Sequence, residues 1–145
     1  MIPLCSSAPM ACDNVSTCNF GEHVTIDGYG GDFAKLNDKG LVLQCLEELT
    51  IKLDMRKLTD AQVYWAPDTS GKDPGGWSGF IVVAESHISI HTFPRRGFLS
   101  ADVYSCKNGL DVDFIISYFK NKFELQNTET NFFKRGTQYP AENLW

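Results

Sequence analysis

Residues 80–94 read FIVVAESHISIHTFP. Phe80 to Ala84 is an unbroken apolar run, the pattern of a buried strand. From His87 to His91, polar residues alternate with Ile88 and Ile90, which predicts a second strand with one face against a core. Downstream, Phe98 to Tyr104 is another strand candidate. Upstream, Gln62 to Trp65 reads as a short strand, followed by a long Gly-, Pro- and Asp-rich loop from Pro67 to Trp77.

Outside this strand-rich middle the pattern changes. His23, Thr25 and Asp27 alternate with Val24 and Ile26 from Glu22 onward, a strand ended by Gly28-Tyr29-Gly30-Gly31. Asn37 or Asp38 can cap a helix whose apolar face carries Val42, Cys45, Leu46, Leu49 and Leu53. Asp111 can cap a second helix with Ile115, Ile116, Phe119 and Phe123 on one side. Thr128 to Phe133 closes the order as a strand. Helices set apart from several strands predict an α+β two-layer α/β sandwich.

The 145 residues suit one domain. Residues 1–20 lack periodicity and are expected to form a flexible N-terminal extension to a domain spanning 21–145. A net charge of −5 argues against a nucleic-acid partner. No apolar stretch is long enough for a membrane span, and no signal peptide is evident. The cysteine count is odd and no C-x-x-C pair occurs. Neither a disulfide framework nor a structural zinc site is expected, and a reducing cytoplasm fits best.

The chemistry-bearing segment is Ala84-Glu85-Ser86-His87-Ile88-Ser89-Ile90-His91-Thr92-Phe93-Pro94. A serine and a histidine at this spacing could be a nucleophile and a base, though such pairs more often form a polar strand face. The segment closely resembles the processing site of the prokaryotic S-adenosylmethionine decarboxylase family. Ser78-Gly79 and Ala101-Asp102-Val103-Tyr104-Ser105-Cys106 stand at the family's spacing. GEHVTIDGYG near the start and NFFKRGTQYP near the end extend the likeness over roughly residues 21–140.

The resemblance implies an antiparallel sheet with two main helices packed on one face. It implies a homodimer of protomers that cleave themselves at Glu85–Ser86 into a β chain, 1–85, and an α chain, 86–145. Ser86 would become a covalent pyruvoyl group that forms a Schiff base with the substrate, with no metal. His91 would accept the α-proton during processing, Ser78 would support that step, and Cys106 would be the catalytic proton donor. The implied reaction is decarboxylation of S-adenosylmethionine for polyamine (spermidine) biosynthesis. His87 is expected to be structural or a local hydrogen-bond partner, and His23 a polar core or dimer contact.

Two departures bear on the substrate. Arg95 stands where the family commonly has a glutamate that accepts hydrogen bonds from ribose, and a guanidinium has only donors. Trp65-Ala66-Pro67 resembles the family's adenine-stacking element, but about seven extra residues follow it. Trp65 and Arg95 are therefore candidate substrate contacts. A basic amino acid, arginine or ornithine, stays open as the alternative substrate, with Asp68 or Asp73 as suppliers of a carboxylate for its distal cation.

Overall fold

In the computed structural model, which describes residues 17–69 and 71–145, the alternating segments assemble into one six-stranded sheet with every pairing antiparallel. In chain order the strands are β1 (Thr17–Cys18), β2 (Gly21–Tyr29), β3 (Gln62–Ala66), β4 (Gly76–Val83), β5 (Ser86–Phe93), β6 (Phe98–Ser105), β7 (Asn127–Arg135) and β8 (Tyr139–Pro140). The helices are α1 (Phe33–Leu36), α2 (Lys39–Lys52) and α3 (Val112–Phe123). The large sheet has the order β3-β4-β5-β6-β2-β7, and β1 and β8 pair separately.

The expected α+β two-layer architecture is the observed one. Period-2 alternation sends Val24 and Ile26, Ile81 and Val83, Ile88 and Ile90, and Leu99, Ala101 and Val103 to one face, all buried. On that face α2 packs against β3, β4 and β5, and α3 against β2 and β7. Helix α2 begins where the Asp38 carboxylate accepts from the Leu41 N–H at 3.1 Å. Its Val42, Cys45, Leu46 and Leu49 are completely buried. Each such apolar side chain contributes about 1.5–3 kcal/mol by burial. Asp111 caps α3 through the Phe114 N–H at 3.0 Å. Tyr118 is buried on that helix beside Ile115, Phe119 and Phe123, whereas Ile116 is only half-buried.

Two local expectations need correction. Residues 17–20 are packed: β1 pairs with β8, Phe20 N–H donates to Arg135 at 2.8 Å, and Cys18 and Asn19 are buried. The rest of the expected extension, residues 1–16, lies outside the described residues. Cys18 is disulfide-bonded, because an odd cysteine count does not preclude a single pair. Of the two expected cap candidates for α2, Asp38 is the cap, and Asn37 ends the four-residue α1. Among the described residues no helix is long and apolar enough to cross a membrane.

Candidate active site

Strands β4 and β5 form a hairpin closed by Ala84 and Glu85, with Val83 paired to Ser86. Glu85 is exposed at the tip, while Ser86 is buried. Ser86 shares the parity of Ile88 and Ile90, so it lies on the helix side of β5. Its Oγ is buried and has no hydrogen-bond partner among the described residues. A buried hydroxyl left unpaired costs about 1–3 kcal/mol, so packing alone gives no reason to keep a serine here.

The segment before β3 braces the hairpin. Ala84 N–H donates to Arg56 at 2.8 Å, and Leu58 N–H donates to Val82 at 2.8 Å. Cys106, just past β6, sits 3.8 Å from the Ala84 carbonyl oxygen with a free thiol. Gly21 permits this packing, because a Cβ there would lie 2.0 Å from the Ser105 carbonyl oxygen and 2.9 Å from the Cys106 Cα. Cys45, the other free thiol among the described residues, is different. Burial pushes it up to about 11, so it stays protonated within the core.

Ser78 and His91 face each other in the β4–β5 register, with His91 Nδ1 2.8 Å from Ser78 Oγ. His91 is exposed on the sheet face that carries no helices. Five residues of extended strand separate it from Ser86, roughly 16 Å at about 3.3 Å per residue. The two side chains also leave opposite faces of β5. One protomer thus brings Glu85, Ser86 and Cys106 together at one end of the sheet, and Ser78 with His91 elsewhere on the open face.

Trp65 and Arg95 do come together. They line a cavity of about 330 Å³ with Phe33, Asn37, Asp68 and Pro94. Trp65 meets Trp77 edge-on at 4.9 Å, and Trp77 Nε1–H donates to the Asn37 carbonyl at 2.9 Å. Asp73 does not line this cavity. Its Oδ1 accepts from the Gly75 N–H at 2.9 Å, and it borders a separate cavity of about 670 Å³ with Tyr29, Phe93, Arg96 and Phe98.

A polar cluster that sequence reasoning did not assemble lies on the open face. The Asp102 carboxylate accepts from His23 at 2.6 Å, from His87 at 3.0 Å, and from the Ser89 hydroxyl. His87, adjacent to Ser86 in sequence, is committed to this cluster. Arg135 Nη1 lies 2.7 Å from His23 Nδ1. Arginine only donates, so His23 Nδ1 is the acceptor and its Nε2 carries the proton given to Asp102. Burial alone would raise the Asp102 pKa, but the hydrogen bonds from Ser89, His23 and His87 hold it below the usual carboxylate value. His23, His87 and Asp102 have ligand atoms within 4.8 Å of one another, a spacing that could hold a metal. The adjacent guanidinium opposes a cation there, and the tautomer it enforces occupies His23 Nε2 with a proton. The signal in the sequence was the polar parity of His23, His87, Ser89 and Asp102, but their pairing is long-range.

The family model for S-adenosylmethionine decarboxylase matches residues 22–136. The chain belongs to the S-adenosylmethionine decarboxylase family. An S-adenosylmethionine decarboxylase proenzyme of Geobacillus sp. (strain WCH70) is 34% identical over 116 residues, covering 80% of this chain and 87% of that protein. S-adenosylmethionine decarboxylase proenzyme 2 of Halalkalibacterium halodurans is 31% identical over the same length, covering 80% and 86%. The crystal structure of the adenosylmethionine decarboxylase from Aquifex aeolicus VF5 aligns with a TM-score of 0.66 at 26% identity, covering 81% of this chain and 92% of that one. The family is one of carboxy-lyases, and the fold described above is its fold.

Proposed function

We propose that this chain is a proenzyme that cleaves its own Glu85–Ser86 bond and then decarboxylates S-adenosylmethionine, supplying aminopropyl groups for polyamine (spermidine) synthesis. The observation that carries this reading is the buried, unpartnered Ser86 hydroxyl at the hairpin tip, with the Cys106 thiol against the same turn. Cleavage would leave chains 1–85 and 86–145.

Processing needs a nucleophile adjacent to its own target. The Ser86 Oγ attacks the Glu85 carbonyl carbon, the C–N bond breaks, and Glu85 becomes an ester on Ser86 with a free amine at residue 86. Removal of the residue 86 α-proton expels the Glu85 carboxylate by β-elimination. Water then hydrolyses the resulting enamine, releases ammonia and leaves the pyruvoyl group on residue 86. That group supplies an electrophilic carbonyl and an electron sink for the carbon dioxide-losing step. In this reading Cys106, which lies against the hairpin, delivers a proton to the product carbon, and a Ser78 hydroxyl donates a hydrogen bond to developing negative charge.

His91 suits the proton acceptor by type, but not within its own protomer, where it lies five residues along β5 on the opposite face. We therefore place the Ser78–His91 pair of a second copy at the Ser86–Cys106 end of the first. The helix-free sheet face supports this homodimer, since it carries half-exposed Phe133 against His23 and exposed Tyr64 in register with Ser78. A cytoplasmic setting belongs to this reading, and the Cys18 disulfide runs against the reducing compartment expected from the cysteine count. Carbon dioxide release from S-adenosylmethionine, arginine and ornithine, assayed in parallel on protein whose mass shows the 1–85 and 86–145 chains, tests the reading. Uncut protein, or release from an amino acid alone, overturns it. Arginine or ornithine is the second reading, favoured by Asp68 beside Trp65 and opposed by Arg95 in the same cavity.

A further inference from the structure

We infer that His87 is a positioning residue, whose hydrogen bond to Asp102 anchors the new chain end at residue 86 once the Glu85–Ser86 bond is cut. This rests on the proposed self-cleavage and names what holds its product in place. Cutting a hairpin at its tip makes two chain ends, and ends fray unless they are tied down. The two ends here are held differently. At the Ala84 end, the Ala84 N–H donates to the Arg56 carbonyl at 2.8 Å, and Lys57 bridges Val83. The residue 86 end has less. Ser86 pairs with Val83 on β4, whereas pairing with β6 begins only at His87, opposite Tyr104. His87 is thus the first residue of the 86–145 chain that is held from both sides.

The His87 side chain supplies a further tie. A carboxylate only accepts, so His87 Nε2 donates to Asp102, at 3.0 Å. The His87 ring also lies 5.4 Å from that of Tyr104. Asp102 is itself fixed, by His23 at 2.6 Å and by the Ser89 hydroxyl. His23 is fixed in turn by Arg135 at 2.7 Å, whose guanidinium lies 4.6 Å from the Tyr104 ring centre. These contacts run in line across β5, β6, β2 and β7, which are neighbours in the sheet. The anchor therefore draws on strands that the cut leaves whole. His87 leaves the open face and Ser86 the helix face, so the anchor grips the backbone without entering the site. While the Glu85–Ser86 bond is intact, the tip holds residue 86 covalently and the anchor is redundant. After the cut it is the first side-chain tie from the new end. Cys106 lies 3.8 Å from the Ala84 carbonyl oxygen, so a proton donor there depends on residue 86 staying against the same turn.

Removing the anchor before and after the cut tests the inference. Amide hydrogen exchange over residues 87–89, read by mass spectrometry, reports how firmly the end is held. Taking it relative to Val24–Ile26 in the same sample cancels any change in global stability. His87→Phe keeps a ring against Tyr104 and loses the donor. It should cut as the native chain does, and the cut protein should then exchange about tenfold faster at residues 87–89, the worth of one hydrogen bond to a charged group. In the uncut Ser86→Ala background, the same substitution should change that exchange by less than about threefold. His87→Gln, whose amide can donate to Asp102, should match the native chain in both forms. Equal acceleration in cut and uncut protein would make His87 an ordinary structural residue, and no acceleration in either would mean that other contacts hold the end. Either result overturns the inference, as does acceleration in His87→Gln equal to that in His87→Phe. A folded His87→Phe chain that does not cut would place His87 in the cleavage step and overturns it too. A native chain that stays uncut makes no such end and refutes the proposed processing along with the anchor, an outcome that the mass of the protein separates from the others.

Discussion

Ser78 and His91 are cross-strand partners 2.8 Å apart, set into the middle of a hairpin whose tip carries Ser86. The imidazole leaves the face of β5 opposite to Ser86, away from its own chain's proposed scissile bond. A base must come within about 3 Å of the proton it removes, and the strand spacing forbids that within one protomer. Two uncleavable proenzymes should therefore complement each other. Ser86→Ala and His91→Ala should each remain uncut alone, the latter slowed by about 10²-fold or more. When the two are refolded together, the His91→Ala chain should be cut, because its Ser86 can meet the intact His91 of the other copy. Mass spectrometry distinguishes the chains, and persistent absence of cleavage would reject the shared site.

Cys106 touches the hairpin, and in the proposed mechanism it takes no part in breaking the Glu85–Ser86 bond. Cys106→Ala should thus cleave as completely as the native chain, while decarboxylation falls by about 10²-fold or more. Intact-mass analysis reads the first property and carbon dioxide release the second. Normal turnover in the cleaved variant would remove Cys106 from the mechanism.

The Asp102 carboxylate is held below its ordinary pKa by Ser89, His23 and His87, against the upward push of burial. A carboxylate whose folded pKa is depressed adds stability that is present above its unfolded value, about 3.9, and is lost as pH falls through the folded one. Unfolding free energy from urea titrations should therefore decline below about pH 4 in the native chain, and decline less steeply in Asp102→Asn. At pH 7, Asp102→Ala should cost about 2–3 kcal/mol, since three donors lose their acceptor. Identical pH profiles for native and Asp102→Asn protein would refute the assignment.

The two strands of the hairpin were legible because the run Phe80–Ala84 and the alternation after His87 are local signals. So was the family, since Ser78, Ser86, His91 and Cys106 stand at distinctive spacings. Their division into two groups follows from parity: an odd step of five from Ser86 to His91 changes the face of the sheet. What stayed hidden depends on long-range pairing. His23 and Asp102 are 79 residues apart in sequence and become neighbours only through the β2–β6 register. Helix α1 has four residues, too few for a periodic pattern to be visible.

Glu22 is another buried residue whose role is set by distant partners. It is 4% exposed, and its Oε1 accepts from the N–H groups of Gly109 at 3.0 Å and Leu110 at 2.9 Å. Its Oε2 accepts from Lys134 Nζ at 2.7 Å. Burial alone would raise its pKa, but these bonds hold it below the usual value. The carboxylate therefore ties down the turn that begins at Cys106, with help from Asn19, which donates to Asn108 at 2.6 Å. Removing it leaves two backbone donors and a cation without their acceptor, so Glu22→Ala should destabilise the fold by about 2–4 kcal/mol. The loosened turn should also expose Cys106. Its reaction with an aromatic disulfide reagent should accelerate about tenfold, as local opening becomes easier. Cys45, in the core with its thiol pushed up to about 11, should stay slow under the same conditions and serve as the internal reference. Equal reactivity of Cys106 in native and Glu22→Ala protein would mean that the turn is held by other contacts.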